Sequence, residues 1–111
     1  MTSLSTHVLD TMHGRPASGM AVALGGPDGE IARGATDADG RCPDLARGAL
    51  APGRYTLRFG VGDYFRRQSV ALPDPPFLDE VAVDFGIAAD GGHYHVPLLV
   101  SPYAYSTYRG S

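Results

Sequence analysis

Apolar and polar residues alternate along most of this chain in short runs broken by glycine, proline and aspartate, the period of strands and not of helices. From Leu4 to Asp10, Thr6 and Val8 fall on one face and Ser5, His7 and Leu9 on the other. His13-Gly14-Arg15-Pro16 breaks that run. Met20, Val22 and Leu24 then share a face, and Gly25 to Gly29 supplies a loop to a strand near Glu30 to Thr36, so these two runs predict a hairpin. Asp37-Ala38-Asp39-Gly40 reads as a tight turn that delivers Arg41 just beyond it.

After a loose segment, Tyr55, Leu57 and Phe59 alternate with Arg54, Thr56 and Arg58, the pattern of a half-buried strand. Asp63 is placed to cap one or two helical turns through Gln68, with Arg67 at the spacing of a helical ion pair. The prolines of Leu72 to Pro76 exclude helix and ladder alike, and Glu80 to Ile87 follows as a strand with Val81, Val83 and Phe85 inward. Ala88 to Gly92 returns the chain to a last hairpin, His93 to Ser111, folded about Ser101-Pro102. On its first strand His93, His95, Pro97 and Leu99 share a side, and on its second Ser106, Tyr108 and Gly110 do. The regular spacing of short strands predicts an all-β sandwich or barrel in which that one short helix is the only one.

With 111 residues, 43% of them hydrophobic, residues 1–111 are read as one domain around one core. Net charge is -3, and all nine basic residues are arginine, with no basic stripe, so a nucleic-acid partner is not expected. The lack of lysine removes Schiff-base chemistry. Cys42 is the single cysteine, which precludes an internal disulfide and offers no metal spacing. The first residues, Met1 to His7, have neither the charge nor the apolar run of a secretory signal, and no segment approaches a membrane span. A soluble, cytoplasmic protein with no membrane partner is the expectation.

Histidine is the side chain suited to proton transfer near neutrality. His7 and His95 both fall in mid-strand, where a histidine is more often a surface or interface residue than a catalytic one. Their faces also carry Leu9, Pro97 and Leu99, and apolar neighbours on an outer face call for a cover, most economically another subunit. His93-Tyr94-His95 has a spacing that could put two imidazoles on one metal with His7 as a third ligand, but no carboxylate or cysteine completes the set. Asp37 and Asp39 lack the later ligands of a calcium loop. Arg41 is either a solvated loop arginine or a clamp for a planar anion. Tyr103, Tyr105 and Tyr108 read as strand formers packed in the core or an interface, and Cys42 as a small semi-buried residue. Ser111 has no nucleophile elbow around it, which disfavours a serine hydrolase.

Leu4-Ser5-Thr6-His7-Val8-Leu9-Asp10, Asp39-Gly40-Arg41, Phe59 to Phe65, and His93 to Leu99 continuing to Tyr108-Arg109-Gly110-Ser111 together resemble the transthyretin-related 5-hydroxyisourate hydrolases of purine catabolism. The terminal Tyr-Arg-Gly-Ser separates those hydrolases from the hormone carriers of the same fold. The resemblance implies a transthyretin-like sandwich of two four-stranded antiparallel sheets with one short helix, assembled as a homotetramer with its sites at the dimer–dimer interface. It implies His7, Arg41 and His95 as the catalytic set, Tyr108 and Ser111 lining the substrate pocket, and no metal or cofactor. The reaction implied is hydrolytic opening of 5-hydroxyisourate to 2-oxo-4-hydroxy-4-carboxy-5-ureidoimidazoline in urate degradation. The alternative is a transthyretin-like carrier holding a small aromatic ligand in the tetramer channel.

Overall fold

A computed structural model describes residues 2–45 and 48–110. The chain runs through β1 (Thr2–Ser5), β2 (Val8–Asp10), β3 (Arg15–Pro16), β4 (Ala21–Gly26) and β5 (Gly29–Ala35), then a 3-10 turn at Pro43–Leu45. It continues with β6 (Gly53–Gly60), α1 (Val61–Arg67), β7 (Glu80–Ile87), β8 (Gly92–His95), β9 (Leu98–Val100) and β10 (Tyr105–Thr107).

One sheet has the order β5-β4-β6-β7 and is antiparallel throughout. The alternation that predicts its strands also sets their faces: Val22, Leu24, Leu57, Phe59, Val81 and Val83 are buried, while Arg54 and Arg58 point away from the core. The other sheet, β10-β9-β2-β3, departs from the expected antiparallel pattern, because β2 and β9 run parallel with Val8 opposite Leu98. β1 and β8 also pair in parallel, with Ser5 opposite His95, and the offset along the two chain segments is the same. Val96 and Leu98 donate to the carbonyls of Ser5 and His7, each at 2.9 Å, so the ladder bridges the gap between the two pairs. The physical reason is connection length: parallel neighbours need a long crossover, and here the rest of the sandwich supplies it between the two ends of the chain.

Leu4, Val8, Leu98 and Val100 from this parallel pair join the inward residues of the first sheet in a single core. α1 starts at Val61, two residues before the expected cap, because Val61, Tyr64 and Phe65 form its buried face. Asp63 therefore lies within the first turn, and its ion pair is with Arg66 at 2.9 Å, whereas Arg67 reaches the Gly19 carbonyl. The last hairpin turns between Val100 and Tyr105, about the expected Ser101-Pro102 corner. Tyr103, Tyr105 and Tyr108 are not core residues; all three are exposed in the single chain.

Candidate functional site

The parallel pairing of the two chain ends places His95 and His7 as diagonal neighbours on one sheet face. Burial alternates strictly from Thr2 to Asp10, which forces Ser3, Ser5, His7 and Leu9 outward as Leu4, Thr6 and Val8 go in. The same rule turns His93 and His95 outward and Tyr94 inward.

Arg41 reaches this face through the turn before it. The Asp37 carboxylate accepts from the backbone N–H groups of Asp39 and Arg41 at 2.9 and 3.0 Å, and Gly40 closes the turn at φ +77°. A side chain at Gly40 would also meet the Val8 carbonyl at 2.5 Å, so glycine is required both for conformation and for space. The Gly40 carbonyl accepts from Val8 at 2.8 Å, and an antiparallel bridge pairs His7 with Arg41. His7 Nε2 lies 2.7 Å from the Asp39 carbonyl oxygen. A carbonyl can only accept, so Nε2 carries the hydrogen and neutral His7 has its lone pair on Nδ1.

On the other side, Gly110 bridges to His95, donating to its carbonyl at 2.7 Å. A Cβ at position 110 would sit 2.5 Å from the His95 ring, so only glycine allows the C-terminal segment to lie this close. Arg109 fastens the same segment: its guanidinium stacks over the Tyr94 ring, 3.8 Å from the centroid, and donates to the His93 carbonyl. Half-burial, then the positive charge of Arg41 and the neighbouring His7 and His93, push the His95 imidazole below its ordinary range. Neutral His95 offers a ring nitrogen for proton transfer while the exposed Arg41 guanidinium supplies a permanent cation beside it.

The structure thus brings together His7, Arg41 and His95, three of the five residues singled out from sequence. Tyr108 stands between β10 and the Gly110 bridge, 60% exposed, and Ser111 lies outside the described residues. Of the apolar neighbours expected to need a cover, Leu9 and Leu99 are half-buried but Pro97 is already buried within the chain. Three features were missed from sequence: the hydroxyls of Ser3 and Ser5, the close approach of Gly110, and the stacking of Arg109 on Tyr94. The strand alternation did place Ser5 beside His7, which was the available signal. Among the described residues no group of three or more His, Cys, Asp or Glu is placed to hold a metal ion. A broad depression of about 1060 Å³ lies elsewhere, over β4, β6 and β7 and lined by Arg54, Tyr55 and Phe85, with no histidine in it. On the histidine face of one chain His7 and His95 are half-buried, while Ser3, Arg41 and His93 are exposed.

Fold and face define a β-sandwich whose two chain ends pair in parallel to present an imidazole–guanidinium–imidazole cluster. The chain belongs to the HIUase/Transthyretin family, whose model matches residues 4–110. It is 50% identical over its whole length to the whole of a 5-hydroxyisourate hydrolase from Caulobacter vibrioides. The solved structure of Klebsiella pneumoniae 5-hydroxyisourate hydrolase superimposes with a TM-score of 0.88 at 36% identity, all of both chains being covered. Sea bream transthyretin, solved in complex with thyroxine, gives 0.84 at 31% identity over 96% of this chain and 93% of its own.

Proposed function

We propose that this protein hydrolyses 5-hydroxyisourate to 2-oxo-4-hydroxy-4-carboxy-5-ureidoimidazoline, without a cofactor, as a step of urate degradation in the cytoplasm. The observation that carries the reading is the convergence of His7, Arg41 and His95 on one face, in a chain half identical to a 5-hydroxyisourate hydrolase along its full length. The carrier reading is weaker, since sea bream transthyretin matches at 31% identity against 50% for the hydrolase from Caulobacter vibrioides.

Opening a cyclic amide requires an activated water, a stabilised tetrahedral oxyanion and a proton for the departing ring nitrogen. His95 and His7 are the proton carriers, Arg41 stabilises the oxyanion, and Tyr108 with Ser111 closes and orients the pocket. An open face must be enclosed before it can exclude water. The proposed enclosure is a homotetramer in which the histidine faces meet at the dimer–dimer interface. Its support is the exposure of the aromatic residues Phe77, Tyr103, Tyr105 and Tyr108, of which Phe77 and Tyr103 lie with rings 6.0 Å apart.

The test is the ultraviolet decay of freshly generated 5-hydroxyisourate with and without purified protein. Wild type should accelerate it, and His95→Ala should lose about a hundred- to ten-thousandfold of that acceleration. Decay no faster than in buffer would remove the assignment.

A further inference from the structure

Four side chains form a continuous hydrogen-bonded chain along the paired strands β1 and β8. Ser3 Oγ lies 2.6 Å from His93 Nδ1, His93 Nε2 lies 2.8 Å from Ser5 Oγ, and Ser5 Oγ lies 2.7 Å from His95 Nδ1. Register explains it: Ser3 stands opposite His93 and Ser5 opposite His95, all four side chains on one face. We propose that Ser3, His93 and Ser5 are positioning residues that set which nitrogen of His95 is protonated and relay its proton to solvent. The proposal rests on the hydrolase reading for its catalytic part.

Donor accounting makes it specific. Ser5 has one hydroxyl hydrogen, so it can donate to His93 or to His95 but not to both. If it donates to His93 Nε2, then His95 Nδ1–H donates to Ser5 and His93 Nδ1–H to Ser3. Both rings are then Nδ1–H tautomers, and His95 Nε2 bears the lone pair of a general base. If Ser5 donates to His95 Nδ1, then His93 Nε2–H donates to Ser5 and Ser3 donates to His93 Nδ1. Both rings are then Nε2–H tautomers, and His95 Nε2–H is a general acid. With the Ser5 hydrogen held inside the chain, and not turned outward while both its lone pairs accept from the two rings, the two neutral histidines take the same tautomer, because the hydrogen bond at one ring nitrogen decides the state of the other.

Reversal of the chain moves one proton. When His95 Nε2 takes a proton from the attacking water, Nδ1 passes its own to Ser5. Ser5 then passes its hydrogen to His93 Nε2, His93 Nδ1 passes its hydrogen to Ser3, and exposed Ser3 releases one to solvent. The oxygen–carbon bond forms and the oxyanion is left beside Arg41. On collapse the carbon–nitrogen bond breaks, His95 Nε2–H protonates the leaving nitrogen, and the chain reverses as a proton enters at Ser3. The sum is one water added across one amide bond. The other charged or titratable groups facing His95 are His7, between β1 and β2, and Arg41 just beyond the turn, and neither is within the hydrogen-bonded chain.

The experiment reads histidine tautomers in the resting protein by long-range proton–nitrogen NMR, alongside steady-state kinetics with 5-hydroxyisourate. In wild type His93 and His95 should show equal tautomer fractions, and Ser5→Ala should make them unequal. Ser5→Ala should also lower kcat roughly tenfold or more with KM within about twofold, the wrong-tautomer loss of about ten-thousandfold in a hydrolytic triad being the upper bound. Ser5→Thr, which keeps the hydroxyl and suits a strand, should restore both readouts. Opposite tautomers in wild type, or Ser5→Ala leaving tautomers and kcat unchanged, would overturn the proposal. Wild type inactive on 5-hydroxyisourate would overturn the hydrolase reading and the relay's catalytic part, while the tautomer measurement judges the coupling by itself.

Discussion

Burial and the cation of Arg41 act on His95 in the same direction, disfavouring its protonated form. A base with a lowered value stays competent below the ordinary histidine value of about 6.5 and is lost only as pH falls through its own value. The acid limb of kcat/KM should therefore lie below that of an unperturbed imidazole. Arg41→Ala should move the limb upward by removing a repelling charge, and cut kcat by about a hundred- to a thousandfold if the guanidinium stabilises the oxyanion. A pH–rate profile of both proteins checks both effects. A second titratable group works for the fold. The Asp10 carboxylate is wholly buried, which would raise its value, yet hydrogen bonds from the His13 ring and backbone and from Tyr64 outweigh burial and hold it low. Tyr64, buried and donating to Asp10 at 2.7 Å, is pushed up to about 12. A lowered carboxylate stabilises the folded state above its unfolded value and stops doing so as pH falls through the folded one. Tyr64→Phe should cost about 1.5–3 kcal/mol near neutral pH, the range for a hydrogen bond to a charged group. Its difference from wild type in urea melts should shrink as pH falls through the depressed Asp10 value.

At the scale of elements, the site depends on two glycines that let backbone approach histidine. Gly110→Ala would place a methyl group 2.5 Å from the His95 ring and should detach the C-terminal segment or turn the imidazole. The expected result is a loss of activity with a small change in melting temperature, because Gly110 is outside the core cluster. The strands were largely legible in the sequence, since burial follows the period-two pattern from Leu4 to Asp10 and from Tyr55 to Phe59. His7, Arg41 and His95 were legible as candidates through the family resemblance, since the residues by themselves favoured surface histidines and a loop arginine, and the Asp37 to Gly40 turn explained how Arg41 arrives. The parallel pairing of the chain ends was not legible, because alternation fixes the face a residue takes and says nothing about which strand lies beside it. The relay through Ser5 was hidden for the same reason: it exists only when β1 and β8 are in register. The helix start was misread because Asp63 looks like a cap, while burial of Val61 outweighs that local preference.

For the molecule as a whole, one cluster of buried residues forms the core, while the histidine face is only partly covered by its own chain. Sedimentation should find a tetramer of the 11.7 kDa chain, and a monomeric species retaining full activity would exclude a shared pocket. No helix among the described residues is long and apolar enough to cross a membrane. Removing Arg109 to Ser111 takes away the Tyr94 stacking and the Gly110 bridge while leaving every core residue in place. Activity should fall to background with the sandwich still folded by circular dichroism. Whether the His7–Arg41–His95 face opens the ring of 5-hydroxyisourate is decided by the initial rate of substrate loss for wild type and for His7→Ala/His95→Ala at equal protein concentration. The predicted result is a wild-type rate far above buffer and a double variant reduced at least about a hundredfold. A folded double variant that matches wild type would contradict it.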